Sequence, residues 1–204
     1  MKNKIIAVIG AGGKTTLIHR LAEEYRRKGA SVLVSTTTHM LVEPDTDLSC
    51  DSFAIMEKIK KTGYWMAGAV CPENSAKMQS LPEQMLHDLM KQVDYALIEA
   101  DGAKHYALKY PSEQEPVIPE GTTDVILVLG SWDLGKPCKD VVFRFEHMTS
   151  ALGISGDMKA DKQMLQWIWQ AYEEKLKNMD YQGHFHVLLS EKTDQGLMFH
   201  TLEE

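Results

Sequence analysis

Short apolar runs alternate along the chain with amphipathic segments of helical periodicity. The runs predict strands at Lys4–Ile9, Ser31–Ser35, Tyr64–Val70, Asp94–Ala103, Thr122–Gly130 and His184–Ser190. The amphipathic segments predict a helix that follows the first glycines and ends at Lys28, a short strand and helix within Phe53–Lys61, and helices at Pro82–Val93, Glu146–Leu152 and Ala160–Leu176. This alternation is typical of a mostly parallel sheet with helices on both faces. The pattern therefore predicts a three-layer α/β fold in a single domain, residues 1–204.

Composition limits the classes of protein to which the chain can belong. Its 204 residues are 44% apolar and 25% charged, which is typical of one globular domain. No apolar run reaches the roughly 20 residues of a membrane helix and no signal-peptide cleavage site follows the first run, so we expect a cytoplasmic protein that does not bind membranes. Cys50, Cys71 and Cys138 lie far apart, which suits a reducing compartment. The net charge of −7 argues against nucleic-acid binding.

A glycine-rich segment, GAGGKTTL at Gly10–Leu17, joins the first strand to the first helix. A dinucleotide fingerprint is disfavoured because Thr15 stands where that motif has its third glycine. Gly13, Lys14 and Thr15 match the end of the phosphate-loop motif G-x-x-x-x-G-K-[ST], with Val8 in the place of its first glycine. The segment therefore predicts a P-loop NTPase-like fold that binds ATP or GTP. The alternative is a glycine-rich turn with a solvated lysine.

The residue types in this segment suit a bound polyphosphate. Glycines let successive backbone N–H groups face one oxyanion at the positive end of the helix. Lys14 can reach the outer phosphates, Thr15 can offer its hydroxyl to Mg²⁺, and Thr16 can bond an inner phosphate. The candidate nucleotide-binding residues of the segment are Gly10, Ala11, Gly12, Gly13, Lys14, Thr15 and Thr16.

Two carboxylates, Glu99 and Asp101, follow the apolar residues of the predicted strand Asp94–Ala103. Alternation along a strand places both on one side, and ligands of parallel sheets bind at the carboxyl ends of the strands. We expect one carboxylate to hold Mg²⁺ while the other positions a water or takes a hydroxyl proton, so that both act in catalysis with Lys14. The alternative is a strand-ending Asp-Gly turn with an incidental glutamate.

Two other segments carry polar candidates next to predicted strands. Thr38 and His39 follow the second strand and are candidate substrate contacts, with ordinary loop residues as the alternative. Lys192 and Asp194 keep the K-x-D half of the guanine-recognition pattern N-K-x-D, while Glu191 replaces its asparagine. We expect Lys192 and Asp194 to contact the base, although a charged surface turn explains them equally well.

Four blocks of sequence, in order, resemble one known family. The blocks are GAGGKTTL at Gly10–Leu17, STTTHM at Ser35–Met40, IEADGAKHYALKYPSEQEPVIP at Ile98–Pro119 and LGKP at Leu134–Pro137. They resemble the selenium-dependent hydroxylase accessory proteins, also called YqeC. The resemblance implies a phosphate-loop nucleotide-binding protein associated with the maturation of selenium-dependent molybdenum hydroxylases, which would be its client enzymes.

The third block also implies a substrate-facing segment. In that block Lys104 and Lys109 are candidates for neutralising a small anionic substrate, and Glu115 can pair with one of them or contact the ligand. Arg144 is a further candidate substrate contact, because it stands near an arginine that the family carries in an HR motif, but Phe143 replaces the histidine here.

Three functions remain open from the sequence. The first is a Mg²⁺-dependent nucleoside triphosphatase that assists hydroxylase maturation. The second is a small-molecule kinase, in which Asp101 or Glu99 deprotonates an acceptor hydroxyl. The third is a nucleotide-gated binding or delivery protein with negligible turnover. The sequence assigns no oligomeric state.

Overall fold

The structure is a computed structural model that describes residues 3–202. Along this range the elements are β1 (Lys4–Gly10), α1 (Lys14–Arg27), β2 (Val32–Thr36), β3 (His39–Leu41), α2 (Ser52–Thr62), β4 (Tyr64–Met66), β5 (Ala69–Val70), β6 (Lys77–Gln79), α3 (Glu83–Lys91), β7 (Tyr95–Glu99), β8 (Leu108–Lys109), β9 (Asp124–Gly130), α4 (Cys138–Val141), β10 (Val142–Phe143), α5 (Phe145–Leu152), α6 (Lys162–Asn178), β11 (His184–Thr193) and β12 (Gly196–Thr201).

A seven-stranded sheet has the strand order β12-β11-β9-β1-β7-β2-β4. β7 pairs in parallel with β1 and β2, and β2 pairs in parallel with β4, whereas β11 and β12 are antiparallel. Two smaller sheets have the orders β3-β6-β5 and β10-β8. The predicted three-layer α/β fold with a mostly parallel central sheet is confirmed.

The parallel strands are apolar almost throughout because their two faces are both covered. Every residue of β2 is buried, and in β1 only the first residue is exposed. β7 is buried from its second residue to Glu99. The carboxylate of Glu99 therefore stands directly at the end of a buried strand.

Contacts along the chain group the residues into two compact units. Unit 1 comprises residues 3–8, Thr15–Asp101 and Val117–Asp124, and unit 2 comprises Ile9–Lys14, Gly102–Pro116 and residues 125–202. The prediction of a single domain stays a prediction.

Unit 1 has an apolar core between its strands and the helices α2 and α3. Its fully buried members include Leu33 of β2, Ile55 of α2 and Leu89 of α3. Asp51 starts α2, since its carboxylate accepts from the backbone N–H groups of Phe53 and Ala54 at 3.0 and 3.1 Å.

Unit 2 contains the long helix α6, whose buried face follows helical periodicity. The buried residues of this face are Met164, Leu165, Ile168, Tyr172 and Leu176. The carboxylate of Asp161 caps the helix by accepting from the N–H of Met164 at 3.0 Å. After α6 the chain forms the hairpin of β11 and β12.

Several predicted elements differ from those in the structure. The short strand predicted near Phe53 is wrong, because the Asp51 cap starts one continuous helix there. The predicted strand Tyr64–Val70 is two strands, β4 and β5, in different sheets. The strand predicted to end at Ser190 continues to Thr193 and turns into β12, which the sequence analysis missed.

The structure also describes the three thiols and the apolar character of the helices. All three cysteines carry free thiols, and Cys71 and Cys138 are buried. Within residues 3–202 no helix combines the length and apolar character required to cross a bilayer. The cytoplasmic location stays a prediction.

Candidate functional site

The turn between β1 and α1 depends on backbone conformations that favour glycine. Gly10 and Gly12 both have a φ of +85°. A Cβ atom on Gly10 would lie 2.4 Å from the carbonyl oxygen of Val128, and one on Gly12 would lie 2.6 Å from Cα of Gly130. The turn therefore needs glycine for its conformation and for its close approach to β9.

Two groups of the turn bond to the backbone around them. The ammonium of Lys14, which is 5% exposed, donates to the Gly10 carbonyl at 2.9 Å. The Ala11 N–H donates to the Val128 carbonyl at 3.0 Å. Lys14 thus folds back over the predicted phosphate loop, whereas the Ala11 amide bonds to β9.

Thr15, the second residue of α1, forms a hydrogen bond with a carboxylate. Its hydroxyl donates to Oε2 of Glu99 at 2.7 Å. Glu99 is 7% exposed and lies opposite Val8 in the parallel pair of β1 and β7. The structure thus brings together two residues that the sequence analysis selected as metal ligands.

The ends of β2 and β7 are joined around Glu99. Its backbone carbonyl accepts from the Thr36 hydroxyl at 2.7 Å and from the Thr37 N–H at 3.2 Å. Asp101, which follows two residues later, is fully buried. This part of unit 1 thus holds two carboxylates at low exposure where parallel strands end.

Thr38 and His39 lie beside this edge. The Thr38 N–H donates to the Thr36 hydroxyl at 3.0 Å, which fixes the turn after β2. His39 begins β3, where it is exposed and pairs with Gln79. Their predicted contacts with substrate stay predictions.

A buried ion pair lies in the segment that follows Asp101. The ammonium of Lys109 is fully buried and contacts Oε2 of Glu115 at 2.6 Å. It also donates to the Gly102 carbonyl at 2.7 Å, and Arg144 contacts the same Glu115 oxygen at 2.8 Å. The prediction that Glu115 can pair with one of the lysines is confirmed for Lys109.

The two cations lower the pKa of Glu115. Burial raises this pKa, but the hydrogen bond and charge of Lys109, the charge of Arg144 and a hydrogen bond from the Gly102 backbone outweigh burial. The carboxylate is therefore ionised at neutral pH, and the three side chains together carry one positive charge.

Phe143 is surrounded by cations, although the family resemblance places a histidine there. The ring centroid lies 5.4 Å from the ammonium of Lys104, 5.7 Å from that of Lys109 and 5.4 Å from the Arg144 guanidinium. Electron-rich aromatic faces attract cations at such distances. Among these side chains, Lys104 is the exposed one.

The glycine turn also contacts residues that the sequence analysis did not select. The Ser190 hydroxyl donates to the Gly12 carbonyl. Ser190 is fully buried on β11, and its place at the end of the predicted strand His184–Ser190 is all that marks it in the sequence. The carbonyl of Ala107 would lie 2.7 Å from a Cβ on Gly12, so the segment that carries Lys104 and Lys109 runs next to the turn.

Lys192 and Asp194 lie at the end of the β11–β12 hairpin. The ammonium of Lys192 is 4.5 Å from the centroid of the Trp132 ring. Asp194 lies in the turn between Thr193 and Gly196, and these two residues pair with each other across the hairpin. Their predicted contact with a base stays a prediction.

The fold and these residues define an α/β protein with a glycine turn, a buried lysine and a threonine–carboxylate pair. A family model described as YqeC protein matches residues 6–146. The chain therefore belongs to the YqeC family.

A curated relative agrees with this assignment. The Escherichia coli (strain K12) protein named "Uncharacterized protein YqeC" is 33% identical over 165 residues, which make up 75% of this chain. The matched region spans 62% of that relative's length. No solved structure matches the chain.

Proposed function

We propose that this protein binds a nucleoside triphosphate, ATP or GTP, with Mg²⁺ at Gly10–Thr16 and hydrolyses its terminal phosphate. The observation that carries the proposal is the 2.7 Å hydrogen bond between the Thr15 hydroxyl and the Glu99 carboxylate. P-loop NTPases hold Mg²⁺ with a loop threonine or serine and an acidic residue on a neighbouring strand. In this chain the two residues come from the start of α1 and the end of β7.

The donor set fits Mg²⁺. A hydroxyl and a carboxylate are hard oxygen ligands, and Mg²⁺ is usually bound by one or two carboxylates together with waters and substrate phosphates. Within residues 3–202 no group of three or more His, Cys, Asp or Glu side chains forms a ready metal cluster. Thr15 and Glu99 would hold the ion, which would neutralise charge on the outer phosphates.

Each remaining residue of the proposed site has a defined task. Backbone N–H groups of the glycine turn other than that of Ala11, which bonds to Val128, bind phosphate oxygens. Lys14 exchanges the Gly10 carbonyl for the outer phosphates. Asp101 orients a water molecule and accepts its proton as the water oxygen forms a bond to the terminal phosphorus. The bond between that phosphorus and the bridging oxygen breaks, so the products are a nucleoside diphosphate and inorganic phosphate.

A small-molecule kinase is the second candidate. The backbone of Ala107 runs against Gly12, which supports this candidate because the same segment carries an exposed lysine, Lys104. An anionic acceptor bound there would receive the terminal phosphate in place of water. A nucleotide-dependent delivery protein would use the same site but would hydrolyse the nucleotide at a negligible rate.

The family resemblance supplies the biological setting of the proposal. We propose that the nucleotide cycle serves the maturation of a selenium-dependent molybdenum hydroxylase. Co-producing such an enzyme with the wild-type chain or with Lys14→Ala, and measuring the selenium content and activity of the enzyme, tests this role. Equal selenium content and activity in the two preparations argue against it.

Ligand-induced stabilisation tests the nucleotide site directly. A ligand at 100 times its Kd raises the free energy of unfolding by about 2.7 kcal/mol. We expect Mg²⁺ with ATP or GTP to stabilise the wild-type protein and Lys14→Ala to lose this effect. Lys28→Ala is the matched control, because Lys28 is an exposed lysine just after α1 that pairs with Glu24. Equal stabilisation of Lys14→Ala and the wild type contradicts the proposal.

Phosphate release distinguishes the candidates. Release of inorganic phosphate without an acceptor supports the triphosphatase, whereas formation of nucleoside diphosphate and phosphorylated acceptor only when an acceptor is present supports the kinase. Tight binding without turnover supports the delivery protein. In the first two cases we expect Glu99→Gln to lower turnover and to raise the Mg²⁺ concentration needed for half-maximal turnover, because the variant lacks one proposed ligand charge.

A further inference from the structure

The end of β9 lies against the glycine turn, and all the residues concerned belong to unit 2. The Ser131 N–H and hydroxyl both bond to the Ser190 carbonyl, at 2.9 and 3.2 Å. The Ser190 hydroxyl in turn bonds to the Gly12 carbonyl. β9, β11 and the turn are therefore tied together by backbone and hydroxyl groups.

Trp132 comes directly after this point. A Cβ on Gly130 would lie 2.8 Å from Cη2 of the Trp132 ring, so the indole packs closely over Gly130. Gly130 in turn lies against Gly12, where a Cβ would be 2.6 Å from the Gly130 Cα atom. An indole is thus separated from the proposed phosphate loop by one glycine.

The indole face that Lys192 contacts is suited to a flat aromatic ligand. Lys192 places its ammonium 4.5 Å from the Trp132 ring centroid, so this face is within reach of a flexible side chain. Near Gly13, a Cβ would meet Cδ1 of Leu197 at 2.5 Å and Cζ of Phe199 at 3.5 Å. Leu197 and Phe199 therefore pack beside Gly13, and a ligand on the indole would lie near an apolar part of the turn.

We propose that Trp132 is the stacking platform for the purine base of the nucleotide whose phosphates bind Gly10–Thr16. The base takes the indole face that Lys192 contacts, and the aliphatic stem of Lys192 then covers the outer side of the base. Bases stack on aromatic side chains because both present π faces, and a bicyclic purine overlaps the indole more than a pyrimidine does. This inference rests on the proposed nucleotide function.

Binding measurements on Trp132 variants test the platform. We expect Trp132→Ala to weaken ATP and GTP binding roughly 5- to 150-fold, the equivalent of about 1–3 kcal/mol per stacked base. Inorganic tripolyphosphate should bind Trp132→Ala as well as it binds the wild type, since it has no base. Trp132→Phe should stay within a few-fold of wild type for all three ligands. Trp167→Ala is the matched control, because Trp167 is a partly buried tryptophan on α6.

Tryptophan emission provides a second measurement that does not depend on the alanine variant. A base stacked on the indole quenches Trp132, so nucleotide should quench the wild type and not Trp132→Phe, while tripolyphosphate should quench neither. Unchanged nucleotide affinity in Trp132→Ala together with unchanged quenching in Trp132→Phe overturns the platform. A parallel loss of tripolyphosphate binding also overturns it, because the ring would then support the loop alone. If the wild type binds neither nucleotide nor tripolyphosphate, the proposed function fails first and the platform fails with it.

Discussion

Replacing Gly12 by alanine tests whether close backbone packing builds the glycine turn. Gly12 has a φ of +85°, and a Cβ there would lie 2.6 Å from the Gly130 backbone and 2.7 Å from the Ala107 carbonyl. These neighbours are backbone atoms and cannot rotate away. Gly29 is a matched control, since its φ is +79° but no atom lies within 4 Å of its Cβ position.

The two variants share one cost and differ in the other. A left-handed conformation costs an alanine about 1–2 kcal/mol relative to glycine, and we expect Gly29→Ala to lose that amount. Gly12→Ala adds the cost of displacing packed backbone, which is about 1–3 kcal/mol for overpacked sites. We therefore expect Gly12→Ala to be less stable than Gly29→Ala by about 1–3 kcal/mol.

Urea unfolding at equilibrium measures this difference. Both variants should keep the wild-type m-value, and their midpoints should fall in the order wild type, Gly29→Ala, Gly12→Ala. If the two variants unfold at the same midpoint, the turn is not packed against Gly130 and Ala107 as described. In that case backbone packing does not fix the conformation of the proposed phosphate loop.

Three further substitutions give defined outcomes in the same unfolding assay. Asp51→Ala removes the α2 cap and should cost about 0.5–2 kcal/mol; an unchanged midpoint contradicts the cap. Leu89→Ala should cost about 2–5 kcal/mol because Leu89 is fully buried, whereas the exposed Leu152→Ala should change little; equal losses contradict the core assignment. The pKa of Glu115 is lower in the folded protein than in the unfolded chain. The ion pair of Glu115 with Lys109 therefore stabilises the fold above the unfolded pKa of about 4.3, and this stabilisation is lost as the pH falls through the folded pKa. Glu115→Gln should therefore be less stable than the wild type at pH 7, but it should lose less stability than the wild type below a pH of about 4; parallel curves of unfolding free energy against pH contradict this.

Long strands were predictable because each carries its own signal. The seven residues of β1 and of β9 are nearly all apolar, and buried parallel strands require that composition. Strands of two or three residues, such as β3 and β5, contain too few positions to show a period. They form because other segments pair with them, and the sequence of the short segment alone does not reveal its pairing partner.

The residues of the candidate site also differ in whether a local pattern predicts them. The glycine turn, Lys14 and Thr15 are contiguous, so a motif identifies them. The Lys109–Glu115 pair spans six positions and was expected as one of two alternatives. Ser190 lies 178 positions from the glycine whose carbonyl it contacts, and no local pattern predicts such a contact.

The position of Glu99 is set at the opposite end of its strand. The Asp94 carboxylate accepts from the N–H and the hydroxyl of Ser31, at 2.9 and 2.8 Å, and the Asp94 N–H donates back to that hydroxyl at 2.9 Å. These bonds tie the starts of β2 and β7, and five residues further along each chain the register brings Thr36 opposite Glu99.

A shift of one residue in this register would turn every side chain of β7 to the other face of the sheet. The carboxylate would then leave the Thr15 hydroxyl, although no residue of the proposed metal site had changed. The residues of β7 before Glu99 alone do not prevent such a shift, because Ala96, Leu97 and Ile98 are apolar and buried and make the two faces of the strand chemically alike. The polar bonds between Ser31 and Asp94 therefore select the register, and through it the pairing of Thr15 with Glu99.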